Sequence, residues 1–251
     1  MSTRLVGKAV RRNEDDALLR GQGVYLDDVE LPGALHVAFL RSPVAHARIT
    51  RLDATAARAL PGVAAVYTHA ELGDIGRPLP LLFPGPAILE PVTQRPLASD
   101  EVAHVGQTIA MVVASSRYIA EDAAELIELE LEELPVVSGL EAALAEGAPL
   151  AHTGIGSNRA ARLHQRSGDP DAAFAAAERT LRDRFVLDRG AASPMETRGV
   201  AARFDRRSGE LTVWDSTQAA IPVRGGLISA LGLPEDKVRV IVPDTGGGFG
   251  V

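Results

Sequence analysis

Short runs of alternating hydrophobic and polar residues fill the first part of the chain, and this period of two is typical of β-strands. The runs cover residues 35–40, 47–52 and 63–67. Asp53 is suited to cap a short helix over residues 54–60, which Pro61 and Gly62 would end. We therefore expect three short strands and one helix in this part of the chain.

The clearest unit follows at residues 108–114, an apolar run that predicts a buried strand. Ser115 or Ser116 can cap a helix that continues to Leu126. The next run, 127–132, alternates again and predicts another strand.

Three glutamates, Glu128, Glu130 and Glu132, share one face of that second strand because successive side chains point to opposite faces. They could hold a cation. A regularly spaced acidic row is more often a solvated strand surface, so we interpret them as surface residues.

The remainder of the chain carries a mixed pattern. Six prolines between Pro78 and Pro96 predict a long irregular loop, and residues 135–149 predict a connector that contains a short helix. A helix is predicted from Asp169–Pro170 to residue 178, followed by a strand at 181–187. The later predicted elements are a hairpin with strands at 200–204 and 211–214, a helix at 222–231 and a strand at 238–242. The last strand runs into a glycine loop at 246–250.

Composition excludes several classes of protein. The 251 residues carry 26 Lys and Arg against 33 Asp and Glu, a net charge of −7, which disfavours binding of nucleic acid. Cysteine is absent, so this chain can hold neither a disulfide nor a cysteine-bound cluster. No apolar run is long enough to span a membrane, and the N-terminal residues lack a signal-peptide core. We expect a cytoplasmic protein.

Few local motifs carry chemistry. The sequence contains none of the patterns GxSxG, HExxH, GxxxxGK[ST] or CxxC, and its six histidines never fall at metal-ligand spacing, so we assign no metal ligand. The glycine loop is the strongest positive signal, because missing side chains let backbone N–H groups approach a ligand or anion. A flexible tight turn explains the same residues equally well.

Two further segments lie where a site could form. Residues 215–218 leave the end of a predicted strand, and Gln218 offers one amide donor and one acceptor, although ordinary loop polarity explains it too. Glu196 and Arg198 are two residues apart and could pair or orient a loop. For Arg198 we favour a structural ion pair.

Several of these motifs, in this order, resemble the molybdopterin-binding large subunits of the xanthine dehydrogenase, aldehyde oxidase and carbon monoxide dehydrogenase family. The motifs are RNED at 12–15, LLRGQGVYLDD at 18–28, LH at 35–36, RSPVAHA at 41–47, METRG at 195–199, STQ at 216–218, LGLP at 231–234, VRV at 238–240 and GGGFG at 246–250. Each motif is weak alone, but their order along the chain makes the resemblance specific.

The resemblance implies an α+β fold: an α/β hammerhead domain followed by the start of a molybdopterin-binding domain. We divide the chain accordingly. The predicted segments are an N-terminal arm at 1–18, the hammerhead domain at 19–135, a linker at 136–160 and the beginning of the molybdopterin-binding domain at 161–251.

The resemblance also implies function. Members oxidise an aldehyde, an N-heterocycle or CO, with oxygen from water, at molybdenum held by molybdopterin, here expected in the cytosine dinucleotide form. Electrons would pass to an iron–sulfur small subunit and an FAD medium subunit, so no iron–sulfur cluster or FAD is expected on this chain. Gln218 matches the glutamine that hydrogen-bonds an oxo ligand of molybdenum, which suits a dry pocket. Gly247, Gly248, Phe249 and Gly250 match the loop beside the cofactor.

The chain departs from the family in length. The glutamate general base is expected beyond the C-terminus, so no residue here is assigned as catalytic, and a separate C-terminal polypeptide is a possible partner. The alternative is a non-catalytic fragment or assembly domain, inactive alone, with a protease-resistant core near 19–135 and labile residues at 180–251.

Overall fold

The protein is described by a computed structural model over residues 5–81, 84–91, 93–187 and 190–250. Its Cα packing forms two units. One unit is Gly33–Val186, and the other combines the described residues of Met1–Pro32 with those of Leu187–Val251.

Both units contain helices and strands. The helices are α1 (Asp15–Leu19), α2 (Thr55–Ala59), α3 (Arg117–Glu125), α4 (Leu140–Leu144), α5 (Pro170–Ala176) and α6 (Ala220–Leu231). The strands are β1 (His36–Arg41), β2 (Ala47–Asp53), β3 (Val63–Tyr67), β4 (Glu101–Val102), β5 (Thr108–Ala114), β6 (Glu128–Glu133), β7 (Val200–Asp205), β8 (Glu210–Asp215) and β9 (Val238–Ile241).

Two antiparallel three-stranded sheets, in the orders β1-β5-β3 and β4-β2-β6, form the unit Gly33–Val186. α3 packs on the first sheet through alanines, so Ala120 and Ala123 are buried against Ala110 and Val112 of β5. Small side chains on both surfaces let the helix approach the strands closely. This alanine-rich layer is the larger of the two cores.

One predicted helix cap is confirmed, and the other is displaced, because α2 begins at Thr55 with Ala54 as its N-cap and without a capping side chain. Ser116 caps α3 by accepting a hydrogen bond from the N–H of Ile119, and a carboxylate oxygen of Asp53 accepts the N–H of Thr55 at the start of α2. Ser116 therefore decides where α3 begins.

The acidic row lies on the surface, as predicted. Arg48 pairs with Glu132 at 2.8 Å, and Arg51 pairs with Glu128 at 2.9 Å and Glu130 at 3.2 Å. These side chains are exposed, so each pair contributes little to stability. Over the described part of the chain, no group of histidine, aspartate and glutamate could hold a metal ion.

The other unit contains the sheet β7-β8-β9. β7 and β8 form the predicted antiparallel hairpin, whereas β9 pairs parallel with β8, and α6 makes the crossover between them. Trp214 pairs with Ile241, so both parallel strands end at the same edge of the sheet. The loops that follow β8 and β9 are therefore brought together.

One predicted strand is wrong. Residues 181–187 form no strand, and the side chains of Leu181 and Leu187 are 97% and 94% exposed. Alternation makes a strand only where a partner strand accepts its backbone hydrogen bonds, and the described residues supply none here. Sequence analysis also gave no sign of α1 or β4.

The boundaries of the two packing units also differ from the predicted domain boundaries. Residues 20–32, expected to open the hammerhead domain, pack with Leu187–Val251 because backbone and side-chain hydrogen bonds join Val24 to Asp244 and Leu26 to Glu196. The segments 1–18, 19–135, 136–160 and 161–251 stay a prediction.

A large part of the surface is open to solvent. The accessible surface is 18875 Å², whereas a compact monomer of this mass has roughly 11,000 Å², and two separate units together roughly 13,000 Å². Exposed apolar side chains include Ile221 at 85% and Phe185 at 85%. Surface of this kind is typical of faces that other protein covers.

Two valines test the core. Val102 is fully buried beside Ala47 and Ile109, and Val105 is 63% exposed. We expect Val102→Ala to lower the free energy of unfolding by about 2 kcal/mol, because it removes buried methyl groups and leaves a cavity. Val105→Ala, the same change at an exposed position, should cost under about 0.5 kcal/mol. Urea unfolding measures both, and equal effects would contradict this core.

Candidate functional site

The candidate site lies at the sheet edge where β8 and β9 end. Residues 216–218 follow β8, and residues 242–250 follow β9. Crevices at the carboxyl ends of parallel strands are common ligand sites, because loops of independent sequence meet there. The polar segment and the glycine loop singled out in the sequence therefore lie side by side.

Gln218 contacts Gly248 directly. A Cβ added to Gly248 would overlap Oε1 of Gln218 and lie 3.1 Å from its Cδ. Any larger residue at position 248 would therefore push the amide away. This close approach gives the glycine a structural reason, and it distinguishes the loop from a merely flexible turn.

The loop backbone is strained at Phe249, and several of its N–H groups have no acceptor among the described residues. Phe249 has φ of 49°, in the left-handed region that costs a non-glycine residue about 1–2 kcal/mol. Its side chain is 74% exposed. Among residues 5–81, 84–91, 93–187 and 190–250, none accepts a hydrogen bond from the N–H of Gly247, Gly248 or Phe249. These donors are available to a ligand.

Glu196 anchors the start of the loop. Its Oε2 accepts hydrogen bonds from the N–H of Gly246 at 2.7 Å and from the hydroxyl of Ser216 at 2.8 Å. Its Oε1 accepts the N–H of Leu26 at 3.1 Å. Burial opposes ionisation, but the hydrogen bonds from Gly246, Leu26 and Ser216 outweigh it and lower the pKa of Glu196.

The ion pair expected for Arg198 is not found among the described residues. Within the described ranges Arg198 forms no ion pair, and the donors to Glu196 are two backbone N–H groups and a hydroxyl. The side chain of Arg198 is exposed.

A second carboxylate fixes the same region. Asp244 accepts the N–H of Val24 through Oδ2 at 2.8 Å and donates its own N–H to the carbonyl of Val24, also at 2.8 Å. Leu26 packs against Gly199, where an added Cβ would overlap its Cδ2. The segment around Val24 is thus held to both the glycine loop and the segment after Glu196.

Asp215 differs from these anchors. It ends β8 with a half-buried side chain, and burial raises its pKa. The backbone carbonyl of Asp215 accepts the N–H of Thr217, which turns the chain towards Gln218. Its carboxyl group lies beside the site, and its contacts assign it no role in holding the loop.

The structure brings some of the predicted site residues into contact. Gln218 and Gly248 are in contact, and Gly247, Phe249 and Gly250 continue the same loop. Gln218 is exposed, so the described residues supply one wall of a pocket and not the dry enclosure that was expected. Sequence reasoning indicated that Glu196 could orient a loop but not which loop, and it missed Asp244, since nothing local shows which backbone groups will approach these carboxylates.

A groove elsewhere offers less chemistry. It has a volume of about 600 Å³, lies in the unit Gly33–Val186 and is lined by Leu140, Ala143, Leu144 and residues 158–163. Arg159 and Arg162 are its charged lining residues, and no carboxylate or imidazole lines it. Without an acid–base pair or a buried polar group, its size does not make it the better candidate.

Comparisons with known proteins agree with this site. Residues 20–135 match the family described as "Aldehyde oxidase and xanthine dehydrogenase, a/b hammerhead domain". Residues 151–251 match the family "Molybdopterin cofactor-binding domain". The two matches follow each other along most of the chain, and the second contains both Gln218 and the glycine loop.

Relatives and solved structures give the same result. The nicotine 6-hydroxylase large subunit of Paenarthrobacter nicotinovorans is 41% identical over 98% of this chain and 30% of its own length. The carbon monoxide dehydrogenase large chain of Afipia carboxidovorans is 42% identical over 96% of this chain and 30% of its own length. Quinoline 2-oxidoreductase from Pseudomonas putida 86 superposes with a TM-score of 0.87 at 40% identity, over 98% of this chain and 31% of that one.

The second family match defines the class of protein as one with a molybdopterin cofactor-binding domain. The chain belongs to the xanthine dehydrogenase, aldehyde oxidase and carbon monoxide dehydrogenase family of large subunits, and matches their N-terminal part. It spans about 30% of the length of the curated relatives it matches. No helix in the described ranges is long and apolar enough to cross a membrane.

The residues fit a molybdopterin group. A pterin cofactor presents oxo and phosphate oxygens, which need hydrogen-bond donors and close backbone approach. The Gln218 amide and the available N–H groups of the loop are donors of this kind, and the absent Cβ of Gly248 keeps them accessible.

The contact between Gln218 and Gly248 can be tested directly. We expect Gly248→Ala to displace the Gln218 side chain and to shift its amide resonances in NMR spectra, with little cost in stability because the overlapped atom is the free end of a flexible, exposed side chain. Gly226→Ala is the control, because a methyl group there meets open space on α6. Unchanged Gln218 resonances in Gly248→Ala would contradict the contact.

Proposed function

We propose that this chain is the N-terminal part of a molybdenum hydroxylase. Together with the remainder of the enzyme, it would oxidise an aldehyde, an N-heterocycle or CO with oxygen from water. The observation that carries the proposal is the contact of Gln218 with Gly248 at one sheet edge. Sequence similarity to the family can persist in a protein that no longer binds the cofactor. The contact, in contrast, holds the two predicted cofactor-binding residues next to each other.

Each site residue has a defined task in this proposal. When bound, the molybdenum cofactor, in its cytosine dinucleotide form, supplies the two-electron oxidation of the substrate. The amide N–H of Gln218 donates to an oxo oxygen of that group, Gly247 and Gly248 allow the backbone to approach it, and Phe249 shapes the substrate side of the pocket. Gly250 lets the chain leave the loop with positive φ.

The proposed function also requires partner subunits for electron transfer. The 251 residues contain no cysteine to hold an iron–sulfur cluster, and we propose that the electrons leave through an iron–sulfur subunit and an FAD subunit. The glutamate general base and the rest of the pocket would come from the remaining large-subunit sequence. The open accessible surface of 18875 Å² supports such partners. The cytoplasmic location predicted from the sequence is part of the same proposal.

The family match does not choose a substrate. The matching relatives are named for nicotine, carbon monoxide and hypoxanthine, and the structures for quinoline and CO. The described residues supply one wall of the pocket, so substrate selection rests with the residues that close it.

The proposal is tested on the chain purified from its own host with the polypeptides that accompany it. We expect about one molybdenum and one pterin per chain, with iron and flavin in the same complex, and dye-linked oxidation of an aldehyde, an N-heterocycle or CO. Gln218→Ala should lower the turnover rate roughly 100-fold by removing a positioned donor. Gln165→Ala changes an exposed glutamine away from the loop and should leave the rate unchanged. A complex without molybdenum or activity would refute the proposal.

A second candidate is a non-catalytic fragment or assembly domain, inactive alone. The exposed apolar residues of 181–187 favour it, because a segment of this composition needs a partner to pack against. Limited proteolysis of the isolated chain should then cut within 180–251 first and leave a resistant core near 19–135. Equal protection of both parts would argue against this candidate.

A further inference from the structure

Glu196 contacts three separate segments of the chain with one carboxylate. Its partners are Leu26 in the N-terminal segment, Ser216 after β8 and Gly246 at the start of the glycine loop, at 3.1, 2.8 and 2.7 Å. In sequence these partners lie 170, 20 and 50 residues away from Glu196. A single side chain therefore joins the elements that build the candidate site.

The chemistry requires an ionised carboxylate. Every contact is a donor aimed at an oxygen, two at Oε2 and one at Oε1, and a carboxylate is the side chain that only accepts. A glutamine amide would turn an NH₂ donor towards at least one of these donors. Among the described residues no arginine, lysine or histidine pairs with Glu196, so its charge is balanced by oriented dipoles.

The contact also fixes the position of the loop. A Cβ on Gly246 would overlap Cβ of Glu196 and lie 3.1 Å from its backbone nitrogen, so the loop crosses the Glu196 segment at backbone distance. Ser216, bound to the same oxygen as Gly246, is two residues before Gln218. The carboxylate thus sets the separation between the strand end that carries Gln218 and the loop that carries Gly248.

We propose that Glu196 is a positioning residue that holds the glycine loop against Gln218 by binding Gly246, Ser216 and the N-terminal segment at once. It touches neither substrate nor cofactor. The geometry stands on the chain's own contacts, and only its consequence for cofactor binding rests on the function proposed above.

The first test uses NMR on the full 251-residue chain. The Gly246 amide resonance should titrate with the pKa of Glu196, which lies below the ordinary glutamate value, and protection of this amide from hydrogen exchange should be lost as the pH falls through that pKa. Above it the carboxylate is ionised and the bond is present. The other ionisable groups on these segments are Asp27, Asp28, Arg198, Asp215 and Asp244. Asp244 is followed separately through the Val24 amide.

Glu196→Gln should abolish this titration and speed exchange of the Gly246 amide about tenfold at neutral pH, since a hydrogen bond to a charged acceptor is lost. Glu30→Gln removes the same charge at an exposed position of the same unit and should change neither. An unchanged Gly246 amide in Glu196→Gln would overturn the inference. If that variant fails to fold, the titration of the natural chain still decides, and a Gly246 amide that does not follow Glu196 would overturn it.

A second measurement concerns the assembled protein. Glu196→Gln should lower its molybdenum content at least severalfold, and Glu30→Gln should not. Unchanged molybdenum in Glu196→Gln would refute the consequence for cofactor binding. Absence of molybdenum from the natural assembly, with the Gly246 titration intact, would refute the proposed function and leave the positioning role standing.

Discussion

The parallel pairing of β8 with β9 is the constraint on which the candidate site depends. An antiparallel neighbour would carry the glycine loop to the opposite edge of the sheet, far from Gln218. Parallel pairing requires a crossover, and α6 supplies it, ending at Gly232 in the left-handed conformation. Because Trp214 and Ile241 are in register, the loops leave the sheet together, and the contact of Gln218 with Gly248 follows from that register.

Carboxylates serve two different purposes in this chain. On β6 they form exposed pairs with arginines, where water screens the charges and each pair contributes little. In the unit with the glycine loop, Glu196 and Asp244 instead accept hydrogen bonds from backbone N–H groups. Bonds of this kind have fixed direction and little freedom, so they specify where a loop lies. Carboxylates therefore form screened surface pairs at some positions and hold backbone groups in place at others.

The chain has a large solvent-accessible area, and the candidate site is exposed within it. Its accessible area exceeds that of compact proteins of the same mass by several thousand Å², and large apolar side chains such as Ile221 remain exposed. Gln218 is likewise exposed. A donor to an oxo group gains strength only where water is excluded. Water has access to Gln218 among the described residues, and the function proposed above requires that water to be excluded.

The sequence by itself determined what local patterns and caps encode. The strands β1, β2, β3, β5 and β6, the start of α3 at Ser116, the β7–β8 hairpin and the identity of the glycine loop were all predictable, because period, turn residues and helix caps act within a few residues. The order of short motifs also indicated the family. The proposed roles of Gln218 and residues 247–250 rest on that resemblance.

Tertiary structure decided the rest. Residues 181–187 have the alternating pattern of a strand. They form no strand because no described strand pairs with them through backbone hydrogen bonds. Glu196 lies in a motif next to Arg198, and sequence spacing favoured an ion pair for that arginine. Folding instead brought the Leu26, Ser216 and Gly246 donors to Glu196 from 20 to 170 residues away. Such contacts depend on chain topology, and no local pattern records which backbone groups will meet a given carboxylate.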